Sequence, residues 1–111
     1  MRTIGDRVSI SFKHGNDESV TLFSHWGGYA FVKTAERYAK KLIADNKRRG
    51  GMTMPLDRCD VETVMVDFIR YLTSDMDRVE SDLYLGKDCN DGDNSDNGHF
   101  VIDMETGEAE K

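Results

Sequence analysis

Residues 7–24 read RVSISFKHGNDESVTLFS, and the spacing of the apolar side chains in this stretch decides the fold class. Val8, Ile10 and Phe12 alternate with Arg7, Ser9, Ser11 and Lys13, and Val20 and Leu22 alternate with Ser19 and Thr21. A period of two belongs to a strand with one buried face. Between the runs, HGNDE supplies turn chemistry: Gly15 tolerates positive φ, and Asn16 and Asp17 suit a turn. The stretch therefore predicts a β-hairpin over 6–13 and 18–24.

The period then changes. After Gly27 and Gly28, a helix is expected from about Tyr29. Phe31, Ala35, Tyr38, Leu42 and Ile43 recur at spacings of three and four, one face of an amphipathic helix. Lys47, Arg48 and Arg49 crowd its end, where positive charge complements the helix dipole, and Gly50 and Gly51 stop it. Asp60 is a good N-cap for a second helix, in which Val61, Val64, Met65, Phe68, Ile69 and Leu72 form an unbroken apolar face. Leu83, Tyr84 and Leu85 form a short extended run, and Phe100, Ile102 and Met104 alternate as a last strand. The order β-β-α-α-β-β predicts an α+β domain. Its expected architecture is an antiparallel sheet of about four strands with two amphipathic helices packed on one face. One domain over 1–104 is expected, with 105–111 as a solvated tail.

A chain of 111 residues is long enough for one core without staples. No apolar run approaches the ~20 residues that span a bilayer, and MRTIGDRVSIS has no apolar signal core. These readings predict a soluble, cytoplasmic protein without membrane contact, or one in the host cytoplasm if phage-encoded. In that setting Cys59 and Cys89 are expected as free thiols, and no CxxC spacing occurs. Cys59 follows Arg58 just ahead of a helix, a place that lowers a thiol pKa, but a half-buried small hydrophobe is the simpler reading.

The net charge of −6 is unevenly spread. Residues 33–49 hold seven Lys or Arg against two acids, whereas 50–111 hold five against sixteen. Lys33, Arg37, Lys40, Lys41, Lys47, Arg48 and Arg49 are thus a candidate face for nucleic-acid phosphates. No aromatic residue interleaves them on the polar side, and the acidic excess repels polyanions. A solvated helix face is the better reading, and nucleic acid is not an expected partner.

Two further stretches hold candidate chemistry. In SHWGG, Ser24–Gly28, a tight turn meets a helix N-terminus, so backbone N–H groups can hold an anion. His25 stands at its rim and Trp26 can stack on a base or sugar. No phosphate-binding Lys-Ser/Thr follows the glycines. The competing reading is an ordinary turn with Trp26 as an anchor. In DCNDGDNSDNGHF, Asp88–Phe100, a calcium loop counted from Asp93 places oxygen at Asp93, Ser95 and Asn97, with Gly98 sixth. Position 12 is Met104 instead of the bidentate Glu, so a polar β-connection that attracts divalent cations weakly is expected. His14 reads as solvated. His25 and His99 meet only if their strands are neighbours, in which case Asp96 or Asp103 can join them.

HWGG (His25–Gly28), Leu85–Gly86, Asp96–Asn97 and Val101–Asp103 together resemble a group of small phage and prophage proteins. Those have an HWGG-like turn, two helices and a C-terminal YLG…DN…VVD strand pair. The likeness spans most of the chain, with a longer loop here before the last strand. It implies origin in a virus or integrated element more than it implies chemistry. With no complete catalytic or metal-ligand set, the expected function is a non-enzymatic interaction module that docks a protein partner, with a homodimer as one form. The alternatives are binding or hydrolysis of an anionic small molecule or metal at Ser24–Gly28, and nucleic-acid binding through the basic helix.

Overall fold

A computed structural model describes residues 5–48, 60–77 and 82–111, the side chains of Lys47 and Arg48 excepted. Arg49, Arg58 and Cys59 lie outside the described residues. The elements run β1 (Val8–His14), β2 (Asp17–Glu18), β3 (Thr21–Ser24), α1 (Gly28–Arg48), α2 (Val61–Leu72), β4 (Leu83–Gly86), β5 (His99–Asp103) and β6 (Ala109–Glu110). No described helix is long and apolar enough to cross a membrane.

The α+β class and the hairpin follow the sequence pattern; the sheet differs in number and pairing. It has six strands in the order β4-β3-β1-β5-β6, with β2 paired to β1. Most pairs are antiparallel, but β1 and β5 run parallel, Ser9 opposite His99 and Phe12 opposite Ile102. The expected four-stranded antiparallel sheet is therefore a mixed one. The cause is topological: β5 returns to lie beside the first strand of the hairpin, on the side that β3 leaves open. The stretch expected as a solvated tail is tied down. Ala109 pairs with Ile102, its N–H donates to Glu36 at 2.7 Å, and Gly107 is buried against Lys40.

Alternation on β1 sorts the two sheet faces. Val8, Ile10 and Phe12, with Leu22 and Ile102, meet Phe31, Val32, Ala35 and Tyr38 of α1 and Val64, Met65 and Phe68 of α2 in one core. Phe68 is central: its ring lies 5.4 Å from Phe12, 6.0 Å from Phe31 and 5.1 Å from Tyr38. Asp60 caps α2 by accepting the N–H groups of Glu62 and Thr63. The Tyr38 hydroxyl donates to Asp67 at 2.7 Å, linking the helices. Burial and that carboxylate hold the Tyr38 phenol above its ordinary value.

The opposite sheet face is also covered. Ser9, Ser11, Thr21 and Phe23 point away from the helices and are all buried. Their cover is the acidic stretch 87–98, which lies across the sheet as a roof. A Cβ on Gly92 would come within 2.7 Å of Tyr84 and 2.9 Å of Phe23, so only glycine permits this approach. Beneath it the Phe23 and Tyr84 rings stack at 4.9 Å.

Candidate functional site

The SHWGG turn forms as the sequence implies, but its donors are already engaged. The Trp26 N–H donates to Asp82 Oδ1 at 2.7 Å, the Gly27 N–H to Ser24 Oγ at 2.9 Å, and the Gly28 N–H to the Asp6 carbonyl at 2.9 Å. The Asp82 carboxylate thus occupies the position an anion would take. Gly28 has φ +60°, and a Cβ there would meet the Asp6 carboxylate, which explains the glycine at the helix entry. Trp26 is no core anchor: it is 57% exposed, with the His25 ring edge-on at 4.3 Å.

The acidic loop is organised around an arginine. Arg7 donates from Nη1 to Asp93 at 2.8 Å and from Nε to Asp96 at 3.0 Å, while its backbone N–H donates to Asp96 at 2.9 Å. Hydrogen bonds from the Ser95 hydroxyl and N–H, with a smaller part from the Arg7 guanidinium, hold the Asp93 carboxyl below the usual carboxylate range, and the Arg7 N–H and then its guanidinium do the same for Asp96. Asp93 and Asn97 both bond to Arg7, the first to its guanidinium and the second to its carbonyl. Asp93 also accepts the Ser95 N–H, and Asn97 Nδ2 donates to Asp6 and to the Arg7 carbonyl. Among the described residues no group of three or more His, Cys, Asp or Glu side chains is placed to hold a metal ion.

His25 and His99 are not neighbours, because β1 lies between β3 and β5. Two strand spacings separate them by roughly 10 Å. His99 instead belongs to a cluster that the sequence reading missed. Asn94 Nδ2 donates to Ser9 Oγ at 2.8 Å, and Ser9 Oγ lies 2.8 Å from His99 Nδ1. On the other side, His99 Nε2 lies 3.2 Å from Ser11 Oγ, which donates to Glu18 at 2.5 Å. One assignment satisfies every bond. Ser9 accepts from Asn94 and donates to Nδ1; Nε2–H donates to Ser11, which passes its proton donor to Glu18. His99 is then the neutral Nε2–H tautomer. A hydroxyl–imidazole–carboxylate row resembles nucleophilic machinery, but Ser9 and Ser11 are fully buried. No substrate reaches their oxygens, so the row anchors the roof. The available signal was SIS in β1: a solvent-facing strand side usually carries charged side chains, and serine suits burial better.

Burial lowers the His99 pKa from its ordinary 6.5, and Glu18 opposes the shift. The folded state therefore disfavours the proton that the unfolded chain takes up. This contribution to stability is complete above pH 6.5 and declines as the pH falls from there toward the folded-state value. The urea midpoint is expected to drop as the pH is lowered below 6.5. His99→Gln should flatten the profile there; an unchanged slope in the variant would assign the titration elsewhere.

Three of the four basic side chains described on the helix face have an acidic partner. Lys33 pairs with Glu36 at 3.3 Å, Lys41 with Asp45 at 3.5 Å and Lys40 with Glu108 at 3.9 Å, and Arg37 donates to Thr34. Cys89 is a free, half-buried thiol.

The sheet edge differs from all of these. β4 ends the strand order, so its outer side has no partner strand among the described residues. Its sequence, LYLG, contains no charge or proline, the devices that usually blunt an edge. Beside it, Leu22, Ile69, Leu83, Tyr84 and Leu85 line a shallow cavity of about 260 Å³. Leu85 is 55% exposed, and Val66, one turn before Ile69 on α2, is 67% exposed.

Comparison with protein-family models, curated proteins and solved structures finds no match.

Proposed function

We propose that this chain is a non-enzymatic docking module that receives an extended segment of a partner protein along β4. The supporting observation is a contrast. The polar groups of the turn, the loop and the histidine cluster bond to other groups of the same chain. The β4 edge presents apolar side chains and has no second partner strand among the described residues. Strand addition would supply main-chain hydrogen bonds for affinity, and the cavity under Leu83 and Leu85 would receive alternate side chains for specificity. Origin in a mobile element rests on the short-motif resemblance.

Selection of displayed peptides on the immobilised chain tests this. Enriched peptides should share apolar residues at every second position and shift the amide signals of Leu83–Gly86. Leu85→Lys should weaken them at least about 10-fold while the far-ultraviolet spectrum is unchanged. Peptides that bind elsewhere, or none at all, would contradict the proposal.

A further inference from the structure

Resting on the docking reading, we infer that the segment taken by β4 is basic as well as apolar. Asp82 directly precedes the strand. Beyond its other end, residues 82–98 carry four more aspartates and a single lysine, Lys87. The roof holds Asp91 and Asp93 against β4. A Cβ on Gly86 would lie 2.6 Å from Asp91 Cβ, and the Asp93 N–H donates to the Tyr84 hydroxyl at 3.0 Å. Arg7 pairs with both Asp93 and Asp96 and so offsets one of their two charges. Asp88 and Asp91 instead accept backbone N–H groups from Asn90 and Lys87, which fixes their position and leaves their charge in place. Both are exposed.

The edge is thus an apolar strip with carboxylates at its two ends. A second copy of this chain would bring the same charges against them, so like-charge repulsion disfavours edge-to-edge self-pairing. A segment alternating Lys or Arg with aliphatic residues fits both features. Its apolar side chains enter the cavity over Leu22 and Ile69, and its cations meet the aspartates.

Two eight-residue peptides, alternating Lys-Val and alternating Glu-Val, separate the possibilities. The Lys-Val peptide is expected to bind at least about 10-fold tighter at 50 mM salt, and the difference should shrink at 500 mM. Amide shifts should centre on Leu83–Gly86. Asp88→Asn, which keeps the side-chain oxygen that caps Asn90, should lower Lys-Val affinity about two- to three-fold. Equal binding of both peptides would overturn the charge inference and leave the docking edge standing. Binding of neither would overturn both. Light scattering that shows a dimer with protected β4 amides would overturn it in favour of a second copy.

Discussion

Phe23→Ala is expected to destabilise the protein by about 3–5 kcal/mol, the range for truncating a fully buried aromatic side chain. Phe23 sits on the sheet face away from both helices, where a two-layer α+β domain would leave it wet. It is nevertheless fully buried. Tyr84 stacks on it at 4.9 Å, Gly92 closes over the pair, and Thr21 and Ser9 flank it in the sheet. Truncation leaves a cavity that neither the neighbouring strands nor the roof can fill without moving. Phe68→Ala on the helix side is the comparison: it too is fully buried, with four aromatic rings around it. The two variants should lose similar amounts in urea unfolding. If Phe23→Ala lost less than about 1 kcal/mol while Phe68→Ala lost several, the second face would have no core of its own.

What was legible in the sequence is what local spacing encodes. The hairpin, the buried face of α2 and its Asp60 cap depend on residues within a few positions of each other. The parallel pairing of β1 with β5 joins segments about ninety positions apart, and nothing in either strand marks its partner. The same distance hid the roof. Asp93, Ser95 and Asn97 read as a polar connection with turn chemistry or as oxygen donors to a cation. The arginine that organises it lies at position 7, in a stretch that had been read only for its alternation. Likewise, Asp82 fills the SHWGG turn from another element, and Glu36 anchors Ala109 from the middle of α1. A composition as polar as GEAEK gives no hint of a strand, because β6 is held by backbone pairing and a carboxylate rather than by apolar burial. His25 and His99 can meet only on adjacent strands, and the strand order places β1 between them.

The roof is folded structure, and its contacts engage the polar groups of the acidic loop and of the His99 cluster. Its amides carry the test. The Asn97 N–H donates to the Arg7 carbonyl at 2.9 Å and the Gly98 N–H to the Asn94 carbonyl at 2.7 Å. Both lie beside the Arg7 ion pairs with Asp93 and Asp96. Hydrogen exchange should therefore be slowed at Asn97 and Gly98 by at least about 100-fold relative to an unstructured chain, a local opening free energy of roughly 2.7 kcal/mol. Arg7→Ala should erase most of that protection while the amides of β1 and β3 stay slow. Exchange of Asn97 and Gly98 at the unstructured rate in the native protein would contradict the account.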